Sequence, residues 1–135
     1  MKIFLDTNVL ASAFTTRGLC ADLFRTVLAK EELLGSEFVL KELERVLRDK
    51  FHMPRDLAKE IIVMLREFPV AAVPKVLPTL PLRDRDDIPV IASAISAGAE
   101  FLVTGDKEML ALRTKLPLRI LSPRQMWEVL QGSAK

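Results

Sequence analysis

The sequence predicts an α/β domain built on a mainly parallel sheet. Short apolar segments that suit strands alternate along the chain with longer segments that suit helices, which is the pattern of such domains. The segment Ile88–Ala97 is rich in alanine and serine, and side chains this small let a helix lie close to a sheet. In folds of this class ligands bind outside the carboxyl ends of the strands, so residues that follow the strands are candidates for function.

The first half of the chain contains two strand candidates and two helix candidates. Lys2–Leu5 is a brief apolar segment that predicts a strand, and Glu32–Gly35 predicts another. Between them, Ala21–Ala29 has apolar residues on one helical face and predicts a helix. Ser36 is a good N-cap for a further helix that continues to about Lys50.

The second half continues the alternation. Pro54 suits the first turn of a helix that extends to about Glu67, Pro69–Val73 is a strand candidate, and Ile88–Ala97 is helical. The last predicted elements are a strand at Phe101–Thr104, a short helix opened by Gly105 and Asp106, a strand at Leu118–Leu121, and a helix from Ser122 and Pro123 to near Gly132.

Length and composition fit one domain over residues 1–135 and exclude several classes of protein. Of the 135 residues, 50% are hydrophobic and 28% are charged, and 20 Lys and Arg against 18 Asp and Glu give a net charge of +2. That balance argues against a strongly basic DNA-coating protein. Cys20 is the only cysteine and His52 the only histidine, so a disulfide framework and a cysteine-based zinc site are excluded.

Nothing in the sequence predicts export or membrane insertion. The apolar run at the N-terminus is too short for a signal peptide. No stretch approaches the roughly 20 apolar residues that a membrane span needs. We therefore expect a soluble, cytoplasmic protein with no membrane partner.

Acidic residues stand where the predicted strands end. Asp6 follows the first strand, Asp106 follows the fourth, and Asp87, preceded by Asp84 and Asp86, leads into the small-residue helix. Two unit charges about 4 Å apart repel by about 4 kcal/mol at an effective dielectric near 20. A bound cation relieves such repulsion, and a ligand set made only of oxygens favours Mg²⁺ or Mn²⁺ over zinc.

Glu42, in the helix after the second strand, is the fourth acid of interest. It lies on one shoulder of the apolar stripe of that helix, with Val39 three residues before it and Val46 four residues after it. Glu44 lies on the opposite shoulder. Helix geometry alone therefore does not choose between the two glutamates.

Each acid also has a purely structural interpretation. Asp106 and Asp87 could cap the helices that follow them, and Glu42 could pair with Arg45 at i+3. Asp6 differs, because the end of the first strand has no evident structural need for a carboxylate. The combination of four acids favours a functional interpretation.

Four segments of the chain together resemble the motifs of the PIN-domain ribonuclease family. The second motif favours Glu42 over Glu44, and in the third the metal-binding acid lies seven residues before the helix alanine, which selects Asp87. Within the family the chain most resembles the toxin-like branch of VapC-type ribonucleases. The four segments are Ile3–Leu10, Val39–Leu43, Arg83–Ala94 and Ala99–Lys107.

The resemblance implies a three-layer α/β/α fold with a mainly parallel five-stranded sheet. It also implies a metal-dependent endoribonuclease, often a homodimer and often silenced by a small antitoxin protein. Asn8 and Thr104 would support the metal ligands through hydrogen bonds. The implied ligands of Mg²⁺ or Mn²⁺ are Asp6, Glu42, Asp87 and Asp106.

Basic residues near the acids are candidates for binding the RNA backbone. Lys107 and Arg85 are the best of these because each adjoins an acid of the predicted site. Taken singly, each suits an ordinary solvated surface better.

Other phosphate-handling enzymes fit the sequence poorly. A haloacid-dehalogenase-like phosphatase needs a second aspartate two residues after the first, and Asn8 occupies that position. A receiver domain needs an aspartate after a middle strand, where Pro74 and Lys75 stand, and no glycine-rich phosphate loop exists. The remaining alternative is a catalytically silent PIN-like module that binds RNA or a protein.

Overall fold

The computed structural model describes residues 1–132, and the five predicted strands are all present in it. They pair in parallel in the order β3-β2-β1-β4-β5, which makes β1 the central strand. The strands are β1 (Lys2–Leu5), β2 (Glu32–Ser36), β3 (Val70–Ala71), β4 (Phe101–Val103) and β5 (Arg119–Leu121).

Helices connect the strands and flank the sheet, so the predicted three-layer α/β/α fold is confirmed. Among the described residues, no helix is both long enough and apolar enough to cross a membrane. The helices are α1 (Thr7–Thr15), α2 (Leu19–Lys30), α3 (Glu37–Asp49), α4 (Arg55–Leu65), α5 (Asp87–Ser96), α6 (Lys107–Leu110) and α7 (Pro123–Gly132).

The central strand is buried on both faces, as expected for a parallel sheet covered by helices on each side. Ile3, Phe4 and Leu5 of β1 have no exposed surface. In α5 the small residues Ala92 and Ser93 are buried, and the Ser93 hydroxyl donates to the carbonyl oxygen of Pro89 at 2.8 Å. This helix therefore lies close to the rest of the fold, as its composition predicts.

The strand order reverses beside β1, and this reversal determines where a ligand can bind. The chain runs outward from β1 through β2 to β3 and then returns to β4 on the other side of β1. A crevice forms at such a switch point, outside the carboxyl ends of the strands. Because Leu5 is in register with Val103, the residues that follow them, Asp6 and Thr104, are neighbours at this crevice.

Helix α1 is the one element that the sequence analysis did not predict. It starts directly after β1, and Asp6 is its N-cap, with Oδ1 accepting a hydrogen bond from the Thr7 amide at 2.7 Å. The expectation that the end of β1 has no structural need for a carboxylate is therefore wrong. A strand that passes into a helix without a connecting loop needs such a cap.

Two of the differences from the predicted boundaries lie close to prolines. Pro54 is the N-cap residue of α4 and lies outside its first turn, and the helix ends at Leu65. The strand predicted at Pro69–Val73 is reduced to β3, two residues that pair with β2 only. Pro69 precedes it and Pro74 follows soon after, and neither has an N–H group to donate to a sheet.

Helix α3 carries Glu42 to the site and begins at a buried cap. Ser36 is fully buried at the end of β2, and its hydroxyl oxygen accepts a hydrogen bond from the Val39 amide at 3.2 Å. This single contact fixes where β2 ends and where α3 begins.

We predict that Ser36→Ala lowers the free energy of unfolding by about 1 kcal/mol, because the buried Val39 amide loses its acceptor. Urea unfolding followed by circular dichroism measures the change. Ser12→Ala is the matched control, since Ser12 lies inside α1 and its side chain makes no hydrogen bond within residues 1–132. A loss no larger than that of the control would contradict the capping role of Ser36.

Candidate active site

Asp6 is the buried centre of the candidate site. Only 6% of its surface is exposed, and its amide donates to the Val103 carbonyl oxygen at 2.9 Å, which continues the pairing of β1 with β4. Its Oδ2 accepts a hydrogen bond from the Thr104 hydroxyl at 2.7 Å. Burial raises the pKa of Asp6, an effect that hydrogen bonds from Thr104 and Thr7 oppose and the charges of Asp106 and Asp84 reinforce.

Thr104 joins two of the predicted acids. It is fully buried, and while its hydroxyl donates to Asp6 its oxygen accepts a hydrogen bond from the Asp106 amide at 3.1 Å. Asp106 caps α6, with Oδ1 accepting from the Met109 amide at 2.9 Å. Asp106 is thus the helix cap that the structural interpretation proposed. Its charge also acts on Asp6 and Asp87.

Glu42 reaches the site from α3 through a contact with Thr7. It is half-buried, and its Oε1 accepts a hydrogen bond from the Thr7 hydroxyl. The ion pair predicted with Arg45 is loose, since 3.9 Å separates Arg45 Nη2 from Glu42 Oε2. Burial is the largest cause of a raised pKa at Glu42; the Thr7 hydrogen bond lowers it, and the charges of Asp6 and Asp86 add to the increase.

Glu44, the other glutamate on α3, faces a different neighbour. Its charge acts on Arg66, which forms a two-pronged ion pair with Glu37 at 2.7 and 3.0 Å. Helix geometry left open whether Glu42 or Glu44 belongs to the site. Of the two, Glu42 is the one that contacts Thr7, the residue next to Asp6.

Asp87 has the most perturbed carboxyl group of the four. It is the first residue of α5, and its Oδ2 is buried without a hydrogen-bond partner in the part of the chain that the structure describes. Burial, followed by the charges of Asp106, Asp84 and Asp6, raises its pKa to about 7. Asp6, Asp87 and Asp106 therefore act on one another electrostatically, and Glu42 is linked to them through the charge of Asp6.

The donor chemistry of this site fits a hard divalent cation, but the side chains are not arranged around one. Carboxylate oxygens are the ligands that Mg²⁺ and Mn²⁺ prefer, and the unpartnered Asp87 Oδ2 has a vacant lone pair for an ion. Within residues 1–132, no group of three or more His, Cys, Asp or Glu side chains is placed to hold a metal ion.

The other predicted site residues lie on the surface around the acids. Asn8 is exposed on the first turn of α1, Lys107 is exposed at the start of α6, and Arg85 is exposed in the segment before α5. Within residues 1–132, the side chain of Asn8 makes no hydrogen bond, whereas the hydroxyl of its neighbour Thr7 donates to Glu42.

The sequence analysis missed Thr7 and one basic surface. Thr7 is 3% exposed, and the only available signal was its position directly after Asp6. Lys41 and Arg45 line a cavity of about 320 Å³ together with Phe38, Glu42 and Asp86. Their positions on either side of Glu42, four residues apart, place them on one face of α3.

We predict that Asp87→Asn stabilises the metal-free protein above neutral pH. The pKa of Asp87 is about 7 in the folded state against about 3.8 for an exposed carboxyl, so between those values the folded state binds more protons and stability falls as pH rises. Removing the charge should add about 1–2 kcal/mol to the free energy of unfolding at about pH 8, allowing for solvent screening.

Urea unfolding in EDTA at about pH 5 and about pH 8 measures this effect. The stability of the variant should fall less between the two conditions than that of the wild type. Glu60→Gln, an exposed acid in the middle of α4, is the control. An unchanged pH dependence in Asp87→Asn would contradict the raised pKa.

Three solved structures share this fold. One is VapBC2 from Rickettsia felis, solved with a DNA fragment from its own promoter. It has a TM-score of 0.63 and 14% sequence identity, and the match covers 90% of this chain and 98% of that one. VapC20 from Mycobacterium tuberculosis, described as a sarcin-ricin loop cleaving toxin, has a TM-score of 0.58 and 16% identity, over 87% and 98%. VapBC-1 from nontypeable Haemophilus influenzae has a TM-score of 0.60 and 19% identity, over 92% and 99%.

The sequence itself matches a family, although no curated protein matches it. The family model described as PIN domain matches residues 2–108, a stretch that includes β1, α3, the start of α5 and the start of α6. All four candidate acids lie inside it. The chain therefore belongs to the PIN-domain family.

Proposed function

We propose that this protein is a metal-dependent endoribonuclease that hydrolyses RNA phosphodiesters. In this proposal Mg²⁺ or Mn²⁺ is held by Asp6, Glu42, Asp87 and Asp106. The observation that carries it is the buried, unpartnered Oδ2 of Asp87 close to the charges of Asp106, Asp84 and Asp6. Membership of the PIN-domain family supports it, as does the sarcin-ricin loop cleaving activity stated for the M. tuberculosis VapC20.

The chemistry divides between the cation and the chain. When bound, a divalent cation supplies Lewis acidity that polarises the scissile phosphate and stabilises the charge that develops on its oxygens. Thr104 orients the Asp6 carboxylate and Thr7 orients that of Glu42, through the hydrogen bonds described above. A carboxylate oxygen of the site accepts a proton from the attacking water, whose oxygen bonds to phosphorus in line with the P–O bond that breaks. The leaving oxygen takes a proton from solvent and departs as a hydroxyl group.

The biological setting is part of the same proposal. We propose a cytoplasmic toxin of a toxin–antitoxin pair that forms a homodimer and is silenced by a small antitoxin. Two of the structural neighbours were solved as VapBC complexes, which supports a protein partner. Helix α4 exposes Leu57 and Val63 among charged residues, while its Ile62 and Leu65 are buried in the core, and such a partner would cover these two exposed side chains.

One observation favours a second candidate function. No three acidic side chains are placed to hold a metal ion within residues 1–132, which is what a catalytically silent RNA-binding or protein-binding module would show. RNA binding without cleavage in the presence of Mg²⁺ or Mn²⁺ would select this candidate.

We predict that the purified protein cleaves single-stranded RNA with Mg²⁺ or Mn²⁺ and that EDTA abolishes cleavage. Glu42→Gln should lower kcat/KM by about a hundredfold, because it removes a charged ligand. Glu44→Gln is the matched control on the same helix and should stay within about twofold of the wild type. Gel-based cleavage of a labelled RNA gives both rates. Equal effects of the two substitutions would contradict the site assignment.

We predict that Thr7→Val lowers activity about tenfold and raises the metal concentration needed for half-maximal cleavage. The substitution keeps the shape of the side chain and removes the hydroxyl that orients Glu42. Thr15→Val is the control, because the Thr15 hydroxyl bonds only to the Ala11 carbonyl oxygen at the other end of α1. A Thr7 variant with unchanged metal dependence would show that Thr7 does not position Glu42.

A further inference from the structure

A cavity of about 430 Å³ lies beside the first turn of α5, and Arg85, one of the surface residues predicted to bind RNA, is in its lining. It forms between residues 77–85 and the first turn of α5, and Ile88, the neighbour of Asp87, is in its wall. We call it the arginine cavity. Its lining residues are Leu77, Pro78, Thr79, Leu80, Leu82, Arg83, Arg85 and Ile88.

Charges are sorted by side within the short segment that separates this cavity from the acids. In residues 83–86 arginine and aspartate alternate. Arg83 and Arg85 line the arginine cavity, whereas Asp86 lines the cavity beside Glu42 and the charge of Asp84 acts on Asp6 and Asp87. The turn that leads into α5 thus places its arginines at the arginine cavity and its aspartates near the acids.

The two arginines are available for an external anion. Neither guanidinium forms an ion pair with any residue of the described part of the chain, and both side chains are exposed. The backbone beneath them is anchored, since the Arg83 amide donates to Glu108 Oε1 at 2.6 Å and the Asp86 amide donates to Asp84 Oδ1 at 2.9 Å. A fixed backbone that carries unpaired guanidinium groups suits the recognition of phosphate, because guanidinium donors match the geometry of phosphate oxygens.

A neighbouring cavity shows what distinguishes this one. It has about 390 Å³, shares Leu77 and Pro78 with the arginine cavity, and continues along α5 past Ala92 and Ile95 without any charged residue in its lining. An apolar surface of that kind suits a protein partner. The arginine cavity instead combines apolar walls with two cations and has no acid in its lining, which suits a ligand with both an apolar face and an anionic group.

We propose that the arginine cavity binds one unpaired nucleotide of the RNA substrate, next to the phosphodiester that the acids cleave. The base lies against the leucine, proline and isoleucine side chains, and Arg83 and Arg85 bind the adjacent phosphates. A base held there cannot remain paired within a duplex, so the nucleotide at the arginine cavity is an unpaired one. This inference rests on the proposed endoribonuclease function.

Binding measured without cleavage tests the inference. A fluorescein-labelled oligouridine of about eight nucleotides is titrated in EDTA at several salt concentrations, and its anisotropy is followed. Arg83→Gln/Arg85→Gln should weaken binding at least tenfold and reduce the slope of log K against log salt by about 1.4, the value for two lost single-strand phosphate contacts. The same oligomer annealed into a duplex should bind the wild type at least tenfold more weakly.

The control removes two lysines from the opposite end of the sheet. Lys2 and Lys30 are both exposed at the amino-terminal edge of the strands, so Lys2→Gln/Lys30→Gln changes the net charge equally but should leave the slope unchanged. Because both pairs of side chains are exposed, neither double substitution should disturb the fold. Melting temperatures close to that of the wild type would verify that both variants are folded.

Crosslinking locates the base. An oligouridine with one 4-thiouridine, irradiated with the protein and analysed by mass spectrometry, should attach within residues 76–88. Attachment only elsewhere, equal slopes for the two double variants, or no binding by the wild type would overturn the inference. Binding that follows the expected pattern without cleavage in Mg²⁺ or Mn²⁺ would contradict the proposed function alone.

Discussion

The site depends on one buried carboxylate, Asp6, at the point where the central strand becomes a helix. Its amide extends the pairing of β1 with β4, one of its oxygens caps α1, and the other accepts a hydrogen bond from Thr104. These contacts hold a charge where little water reaches it. Two other acids are joined to this position by hydrogen bonds, because the Asp106 amide donates to Thr104 and Glu42 accepts from Thr7. The charge of Asp6 also acts on Asp87.

The four acids are stable together only as long as something offsets their charge. In the metal-free chain burial, and after it the charges of neighbouring acids, raise the pKa values of Asp6, Glu42 and Asp87. The net charge of +2 conceals this concentration of acids, since basic residues surround them on α3, before α5 and at α6. A protein with nearly balanced charge can therefore have an acidic centre with a basic surround, an arrangement suited to RNA.

Much of the fold could be predicted from the sequence, because the strands are short apolar segments and several helices start at recognisable caps such as Ser36. Helix α1 escaped prediction because it follows β1 without a turn residue to separate them. The acids could be chosen from motif positions, but contacts between distant segments could not. Thr7 illustrates this, since its bond to Glu42 joins residues 35 positions apart. The sorting of Arg83 and Arg85 away from Asp84 and Asp86 likewise depends on the folded backbone.

The central claim is that these carboxylates form a site for a divalent cation, and metal-linked stabilisation tests it most directly. The melting temperature of the wild type should rise steadily as the Mn²⁺ concentration is increased, because a ligand that binds only the folded state stabilises it. Asp87→Asn should start from a higher melting temperature and respond much less. If neither Mn²⁺ nor Mg²⁺ changes the melting temperature of the wild type, the carboxylates do not form a divalent-cation site.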